Sequence, residues 1–398
     1  TPSARSTVSW SVLHMNDQTF LVLEDDTVYR GTGFGAPAPR IADLSPGDVP
    51  LKNAGEVVFN TAMSGYHEVL TDPSYTGQIV TMTYPHIGNY GSLDEWSEIG
   101  PETGVRRDGV KAAGFVLRDV YRGPVPNGRE TLDSFLARHG TPGISDVDTR
   151  GLTLKLRDEG SKKGVIVRCE ERDLSAASKA RVLDYLSKVP DMLGRNLVTD
   201  VGSLAVTEIN PEGSPHVALL DCGAKANILR ELTKRGCKLT LIPSTTAKAE
   251  LEALSPDALF VSNGPGDPAV LDSMIELLRS QVGVRPLLGI CLGHQLLAEA
   301  TGGKTYKMKF GHHGVNHPVR DERTKRVFVT SQNHGFAVDE ESLPEGAEIW
   351  FRNANDKTVE GLIYPKLRIA TSQFHPEACP GPEDASWIFD SFIETVRE

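Results

Sequence analysis

Cys291 is the residue of this chain whose sequence setting best suits covalent chemistry. The apolar residues 287–290 before it predict a buried strand, and the good helix formers of residues 296–300 predict a helix after it. The turn reads Gly289-Ile290-Cys291-Leu292-Gly293, the thiol form of the Gly-x-Ser-x-Gly nucleophile elbow. A helix N-terminus behind the thiol would favour the thiolate and stabilise an oxyanion. The pattern predicts a nucleophile, although a lone cysteine in an apolar run is more often a small buried hydrophobic residue.

A thiol nucleophile needs a base, and the best candidate is His375, which Glu377 follows two residues later. In an extended backbone, residues two apart project to the same side, and Pro376 biases His375 towards that conformation. Glu377 would then hold one imidazole tautomer while the other ring nitrogen faces Cys291, as in a catalytic triad. The alternative is a surface histidine beside a helix-capping acid, but the nearby elbow favours catalysis.

The loop at residues 262–268 follows a predicted strand and opens a predicted helix. Its glycines, Gly264 and Gly266, would let backbone N–H groups approach a ligand and supply half of an oxyanion hole. Without the elbow, the same loop would be only a tight turn.

Three other patterns do not complete a site. The histidines of residues 311–317 are a zinc-like cluster, but no nearby carboxylate or cysteine completes a set at helical spacing, so we predict no metal there. Gly303-Lys304-Thr305 fails as a phosphate loop because position 298 is alanine and a helix precedes it. The glycines of residues 31–35 lack dinucleotide spacing, which argues against a nicotinamide-dependent dehydrogenase.

Composition narrows the class of protein. A chain of 398 residues with 39% hydrophobic and 24% charged residues is typical of a soluble globular protein of two or three domains. Its 42 basic and 53 acidic residues give a net charge of −11, which argues against a nucleic-acid surface. No apolar run approaches the ~20 residues of a membrane span. Five widely spaced cysteines predict a reducing compartment, the cytoplasm or, in a eukaryote, an organellar matrix.

The sequence predicts an α/β chain of two domains. Residues 1–200 form a mixed, β-rich domain that includes a hairpin at residues 20–29, and residues 201–215, rich in Gly and Pro, form a linker. In residues 216–398, strands and helices alternate, with helices expected at residues 268–281 and 384–396 among others. This alternation predicts right-handed βαβ units and a mostly parallel sheet flanked by helices. Ligands bind beyond the carboxyl ends of such strands, where Cys291 would lie.

Longer segments carry a resemblance to a known family. The elbow, residues 262–268 and His375-Pro376-Glu377 together resemble the class I, or triad, glutamine amidotransferases. The rest of the chain, from about residue 18, is similar to the small chain of glutamine-dependent carbamoyl-phosphate synthetase. That similarity is carried by residues 56–75, 83–89, 146–150, 223–225, 227–230 and 309–314.

The resemblance implies a role for each site residue. Cys291 would attack the side-chain amide of glutamine to give a γ-glutamyl thioester and ammonia, with His375 as base and acid and Glu377 orienting it. The backbone at Leu292 and around Gly264 and Gly266 would form the oxyanion hole, and Lys225 would line the same pocket. Glutamine would be bound by Ser74 from the first domain and by Gly264, Gly266, Leu292, Gln295, Asn333, Gly335 and Phe336.

The resemblance also implies a partner. Carbamoyl phosphate synthesis needs ATP and bicarbonate, and no ATP motif can be read in this chain. We therefore expect no cofactor here, with ATP and Mg²⁺ or K⁺ ions on a large synthetase subunit that receives the ammonia. The expected assembly is a heterodimer or a larger oligomer, with the N-terminal domain supplying much of the interface. Its product would serve arginine synthesis, pyrimidine synthesis or both.

Two other functions compete with this interpretation. The chain could be another triad amidotransferase, as in guanylate or anthranilate synthesis, or a free γ-glutamyl hydrolase, but the large N-terminal domain argues against these. Alternatively, it could be a catalytically silent interaction subunit in which Cys291 is merely buried. The reactivity of Cys291 towards a glutamine-like electrophile distinguishes the enzyme from the silent subunit.

Overall fold

The computed structural model describes residues 17–45, 52–99 and 109–397. Within these ranges, the strands of the first half are β1 Gln18–Leu23, β2 Val28–Gly35, β3 Ala54–Asn60, β4 Gln78–Met82, β5 His86–Ile87, β6 Gly114–Val116, β7 Asp119–Val120, β8 Pro142–Ser145 and β9 Lys162–Cys169. The helices there are α1 Tyr66–Thr71, α2 Leu132–Arg138, α3 Thr149–Glu159, α4 Ala176–Leu186 and α5 Val198–Val201.

The strands of the second half are β10 Thr207–Ile209, β11 His216–Asp221, β12 Lys238–Pro243, β13 Ala258–Val261, β14 Leu287–Ile290, β15 Thr305–Asp321, β16 Val327–Val338, β17 Glu348–Asn353, β18 Val359–Tyr364 and β19 Ile369–Ser372. Its helices are α6 Ala226–Lys234, α7 Lys248–Leu254, α8 Asp272–Arg279, α9 Leu292–Thr301 and α10 Ile388–Arg397. Across the described ranges, no helix combines the length and the apolar character that a membrane span requires.

The first half closes seven strands into a barrel, in the order β1-β2-β8-β6-β4-β3-β9. The predicted hairpin is confirmed, because β1 and β2 pair antiparallel. Alternate residues of β1 face opposite sides, as the strand period of two requires. Leu21 and Leu23 pack in a cluster with α3, whereas Phe20 and Val22 pack in another with α4. Residues 20–23 of this strand are therefore all apolar, since helices cover the sheet where they lie.

The second half is one ten-stranded sheet, in the order β10-β12-β11-β13-β14-β19-β18-β16-β15-β17. The strands β12, β11, β13, β14 and β19 are parallel, and the remaining strands join antiparallel. Helices cover both faces, because alternate residues of β11 enter different clusters: Ala218 and Leu220 pack with α7, α8 and α9, and Val217 and Leu219 pack with α6 and α10. The predicted α/β fold with its central parallel strands is confirmed.

Two helices begin later than the sequence predicts. The helix expected from Pro268 starts as a 3-10 turn, which the Asp267 carboxylate caps, and α8 begins only at Asp272. Leu271 lies at φ −97° and ψ 45°, outside helical geometry, and separates the two elements. The C-terminal helix expected from Asp384 begins at Ile388. A cap followed by proline marks a helix start of either kind, so the sequence does not distinguish a 3-10 turn from an α-helix.

The segment predicted to be a linker, residues 201–215, contains the edge strand β10, which pairs antiparallel with β12. A hydrogen bond also holds this segment to the sheet, because the backbone N–H of Ser203 donates to the Asp221 carboxylate at 2.9 Å. The exact domain boundary stays a prediction. Side chains of the two halves meet nearby: Asn333 Nδ2 donates to Asp72 Oδ2 at 2.9 Å, and Asn263 Nδ2 donates to Ser74 Oγ at 2.9 Å.

Candidate active site

Cys291 occupies the turn between β14 and α9, at the carboxyl end of a central parallel strand. Its backbone lies at φ 54° and ψ −105°, a strained conformation for a residue with a Cβ. The turn is held because the Cys291 N–H donates to the Ser372 carbonyl of β19 at 2.8 Å. The predicted nucleophile elbow is therefore present as a backbone shape, and it places the thiol at the N-terminus of α9.

Gly293 allows α9 to pack directly behind the elbow. A Cβ at this position would lie 2.1 Å from the Val261 carbonyl oxygen of β13, far inside contact distance. Gly289 has the same function on the strand side, since its Cβ would lie 2.7 Å from the Gly293 carbonyl carbon. The two glycines of the motif are thus required by close backbone approach at both ends of the turn.

Replacing Gly293 by alanine is expected to displace the elbow, because the Val261 oxygen belongs to a central strand and cannot move aside. We expect a loss of about 1–3 kcal/mol in the free energy of unfolding, from overpacking, and a fall of at least about 100-fold in glutaminase kcat/KM. Chemical denaturation and ammonia release measure the two effects. Ala300→Gly on the same helix is the control, since it costs about 1 kcal/mol in helix propensity while leaving the elbow intact; equal activities in the two variants would contradict this account.

His375 and Glu377 form a buried pair next to the elbow. His375 Nδ1 lies 2.5 Å from Glu377 Oε1, and the two residues are only 1% and 2% exposed. The backbone N–H of His375 donates to the Ser331 carbonyl at 2.9 Å, which fixes the position of the His375 backbone. Its Nε2 has no hydrogen-bond partner of ordinary geometry among the described residues. One ring nitrogen is thus oriented by the carboxylate and the other is left available for a proton.

The charge of this pair follows from its surroundings. Burial alone would lower the pKa of His375, but the Glu377 carboxylate and the neighbouring Cys291 thiol outweigh it and raise that pKa. Burial would raise the pKa of Glu377, but Lys225 and His375 outweigh it and hold that pKa below its ordinary value. The imidazole is therefore biased towards the charged form that a thiolate partner requires.

Lys225 lies behind the pair, not among the residues that line the cavity beside Cys291, where the resemblance had implied it. Its Nζ is 3.3 Å from Glu377 Oε1 and donates to the Ala378 carbonyl, and the residue is only 2% exposed. Burial would lower the pKa of Lys225, but Glu377 and the buried Glu98 raise it. Lys225 is thus a fixed cation that compensates the charge of two buried carboxylates.

A cavity opens beside the Cys291 thiol, and residues of both halves of the chain line it. Seven of the residues that the resemblance implies for glutamine binding lie around it: Ser74, Gly264, Gly266, Gln295, Asn333, Gly335 and Phe336. The eighth, Leu292, follows Cys291 as the first residue of α9 and is buried. The fold therefore gathers this whole set around one thiol, although its role in binding stays a prediction.

Hydrogen bonds hold the lining residues in place. Asp72 caps the turn that carries Ser74, accepting from its N–H at 2.9 Å, and also accepts from Asn333 Nδ2. Gln295 Nε2 donates to the Phe336 carbonyl at 2.9 Å, which ties α9 to β16. The Cys291 Sγ lies 3.6 Å from the Asn333 carbonyl oxygen. The polar groups of the cavity are thus fixed before any ligand arrives.

Sequence reasoning missed five lining residues: Gln78, Met192, Pro265, Lys307 and His334. Lys307 lies outside the segment 309–314 that carried the resemblance, so no local signal identified it. Met192 belongs to no recognisable motif, so only the fold reveals it.

His312, His334 and Glu360 form a buried cluster whose potential ligand atoms lie within 4.8 Å of one another. Glu360 comes from β18, far along the chain, so the sequence shows no carboxylate near these histidines. Gln332 Oε1 already lies 3.1 Å from His312 Nδ1 and 2.8 Å from His334 Nε2. Burial alone would lower the pKa of His312, but Asp356 and Glu360 raise it to about 10. The cluster is thus accounted for by hydrogen bonds around a charged histidine, and the absence of a metal stays a prediction.

Two family models match the chain. The model described as "Glutamine amidotransferase class-I" matches residues 218–395, and the model described as "Carbamoyl-phosphate synthase small chain, CPSase domain" matches residues 21–166. The first contains the elbow with His375 and Glu377, and the second contains the barrel strands β2 to β8, including the turn of Ser74.

Curated relatives are similar in sequence to this chain over nearly its full length. The carbamoyl phosphate synthase small chain of Methanopyrus kandleri is 45% identical over 95% of this chain and 99% of its own. The protein of the same name from Methanocaldococcus jannaschii is 45% identical over 95% and 98%, and that from Aquifex aeolicus is 41% identical over 96% and 100%. With both domains present and this identity sustained from end to end, the chain belongs to the carbamoyl phosphate synthase small-chain family.

Proposed function

We propose that this chain is the glutamine-hydrolysing subunit of a carbamoyl phosphate synthase and that Cys291, His375 and Glu377 are its catalytic triad. The observation that carries the proposal is the strained elbow, which places the thiol beside an imidazole oriented by a buried carboxylate. A silent interaction subunit would have no need for such a backbone conformation. Membership of the small-chain family supports the same conclusion.

In the proposed reaction, the Cys291 thiol gives its proton to His375, and its sulfur attacks the side-chain amide carbon of glutamine. A carbon–sulfur bond forms while the carbonyl π electrons move onto the oxygen. Backbone N–H groups at Leu292 and around Gly264 and Gly266 stabilise the oxyanion. The carbon–nitrogen bond then breaks as His375 gives its proton to the leaving nitrogen, so that ammonia and a γ-glutamyl thioester remain. Water, deprotonated by His375, attacks the thioester and releases glutamate, which regenerates the thiol.

The fate of the ammonia follows from small-chain identity, which implies a large subunit. We propose that ammonia passes to that subunit, which holds the ATP and metal ions and makes carbamoyl phosphate from bicarbonate. The barrel domain would supply much of the interface, in a heterodimer or a larger assembly. The product would serve arginine synthesis, pyrimidine synthesis or both, and the widely spaced cysteines fit a cytoplasmic location.

The direct test combines the purified chain with the large subunit, glutamine, bicarbonate and ATP. We expect carbamoyl phosphate and glutamate to form in equal amounts only when both subunits are present. The large subunit alone should accept ammonium salts but not glutamine. Glutamine-dependent synthesis without this chain, or its failure with both subunits while ammonium salts still support synthesis, would refute the proposal.

Replacing Glu377 by glutamine is expected to lower kcat by about 10- to 100-fold, because the amide no longer stabilises the imidazolium and fixes its tautomer less well. Glu377 raises the pKa of His375, so its loss lowers that pKa, and the imidazolium loses its proton at a lower pH. The alkaline limb of the kcat/KM profile should therefore move towards lower pH in the variant. An alkaline limb at the same pH as in the wild-type enzyme would show that Glu377 does not control the charge of His375.

A further inference from the structure

The loop that carries the proposed oxyanion donors, residues 264–267, is held in part from outside the parallel sheet. A Cβ at Gly264 would lie 2.3 Å from the Cys222 carbonyl oxygen, so one end of the loop packs against the chain just after β11. Gly266, at the other end, has a φ of 97°, and a Cβ there would lie 2.6 Å from the Arg195 carbonyl oxygen. Glycines restrain a backbone weakly, so the position of this loop depends on these two neighbours.

A short segment, residues 192–197, supplies the second of these contacts, and we call it the strap. It lies between the two halves along the chain, since α4 precedes it and α5 follows it. Met192 and Leu197 of the strap are buried and pack with Phe336 of β16 in one apolar cluster. The strap also packs on the barrel half, because a Cβ at Gly77 would lie 3.2 Å from the Leu197 side chain. Both halves of the chain therefore fix its position.

Asp267 fastens the loop to the strap with its backbone and with its side chain. Its N–H donates to the Arg195 carbonyl at 3.0 Å, and its Oδ2 accepts from the Gly194 N–H at 2.8 Å. The other carboxylate oxygen, Oδ1, accepts from the Ala269 N–H at 3.0 Å and caps the 3-10 turn that follows. Asp267 is only 3% exposed, so little water competes for its oxygens. One carboxylate thus holds the strap and the start of the next turn together.

The strap matters for catalysis because an oxyanion hole works only when its donors are fixed in place. Donors must lie about 2.7–3.1 Å from the developing oxygen, and a misplacement of about 1 Å can cost roughly 100-fold in rate. The proposed donors around Gly264 and Gly266 lie on backbone that has no side chain to lock it. Asn196 of the strap pairs with Gly266 in an antiparallel bridge, which supplies the missing restraint.

We propose that the strap holds the oxyanion loop in its catalytic position and that Asp267 is the positioning residue that locks the two together. This inference deepens the proposed function, on which it rests, by giving a role to a carboxylate that is not among the described residues lining the cavity. Asp267 acts through the backbone N–H groups of the loop. Its effect therefore falls on the transition state, in which the oxyanion forms, and not on the binding of glutamine before reaction.

The test replaces Asp267 by serine in the complex with the large subunit. Serine caps a turn about as well as aspartate, but its shorter side chain does not extend to Gly194 as well. We expect kcat for glutamine to fall by about 10- to 100-fold while KM changes by less than about threefold, because the oxyanion exists only in the transition state. Alkylation of Cys291 by iodoacetamide forms no oxyanion, so its rate should stay within about threefold of the wild-type rate.

Asp339→Ser is the matched control, because Asp339 also caps a 3-10 turn, accepting from the Glu341 N–H at 3.1 Å, and is not among the described residues around the cavity. It should leave kcat, KM and alkylation unchanged. In Asp267→Ser, a loss confined to KM would show that Asp267 only shapes the binding site. An alkylation rate that falls together with kcat would show that it supports the elbow instead. Wild-type kinetics would remove the strap from catalysis.

Hydrogen exchange tests the strap without relying on hydrolysis. In Asp267→Ser, the amides of residues 192–197 and 264–267 should exchange at least about tenfold faster, while those of α9 keep their protection. Unchanged exchange would show that the carboxylate does not hold the loop. Ammonia-dependent synthesis checks assembly, and Asp267→Asn, whose amide oxygen replaces only one of the two acceptors, serves if the serine variant does not assemble. A wild-type complex that hydrolyses no glutamine would refute the proposed function instead.

Discussion

Replacing Cys291 by serine is expected to abolish glutamine-dependent synthesis while ammonia-dependent synthesis by the complex survives. The hydroxyl has the same place on the elbow but is a far weaker nucleophile than a thiolate, so the thioester cannot form. We expect glutaminase kcat to fall by at least about 1,000-fold, as when a triad nucleophile is removed. Supplied ammonium salts bypass this step, so the rate with them should stay near that of the wild-type complex.

The control for this prediction is Cys169→Ser, which changes a partly exposed cysteine of β9, far along the chain from the elbow. It should leave both activities unchanged. Loss of both activities in an assembled Cys291→Ser complex would mean that Cys291 supports the interface with the large subunit, and retained glutamine use would remove it from the mechanism.

Replacing Lys225 by methionine is expected to have the largest effect on stability. Methionine fills a similar volume but removes a buried cation that compensates both Glu377 and Glu98. Removing one partner of a buried ion pair costs about 3–5 kcal/mol in the free energy of unfolding. Glutaminase activity should fall too, because Glu377 then protonates more readily and holds the imidazolium less well. Chemical denaturation at fixed pH, with a parallel glutaminase assay, measures both effects.

The pH dependence of this loss has a definite sign. Burial raises the pKa of Glu98 to about 7, and Lys225 opposes that rise. Without Lys225, the pKa of Glu98 rises further, so the folded state binds a proton that the unfolded chain releases. The part of the deficit that Glu98 causes should therefore be greatest at high pH and should vanish as the pH falls below about 7, where Glu98 is protonated with or without Lys225.

A double variant tests whether the uncompensated charge of Glu98 causes the loss of stability. Glu98→Gln added to Lys225→Met removes one of the uncompensated carboxylates and should recover part of the lost stability, with a coupling energy of about 1–3 kcal/mol. Lys234→Met serves as the control, because this lysine of α6 is 75% exposed and its loss should change stability by less than about 0.5 kcal/mol. Strictly additive losses in the double variant would show that Lys225 and Glu98 do not interact.

The sequence predicts those parts of the site whose structure depends on residues close together along the chain. The elbow around Cys291 is readable because glycine spacing, an apolar strand and a helix start occur within about a dozen positions. His375 and Glu377 are readable as a pair because a proline separates them in extended backbone. The binding residues Ser74 and Asn333 came from family resemblance, since neither position has a local signature that distinguishes a ligand from a turn former.

The sequence could not predict contacts that only the tertiary fold creates. Glu98 reaches Lys225 from the other half of the chain, and Glu56 reaches Lys307 in the same way. The charge of each lysine is visible in the sequence, but its partner is not, because no period or spacing links residues so far apart. For the same reason, the sequence did not show that Glu360 joins the histidine cluster or that Lys225 lies behind Glu377 and not in the pocket wall, where the resemblance placed it.

The most direct test of the central claim is covalent labelling by an electrophilic glutamine analogue, such as a chloroketone, with the adduct located by mass spectrometry. We predict a single adduct on the buried Cys291, suppressed by excess glutamine, while the more exposed Cys169 stays unmodified. Such selectivity requires both an activated thiol and a glutamine site. Labelling of Cys169 but not Cys291, in the isolated chain and in the complex with the large subunit, would contradict the account.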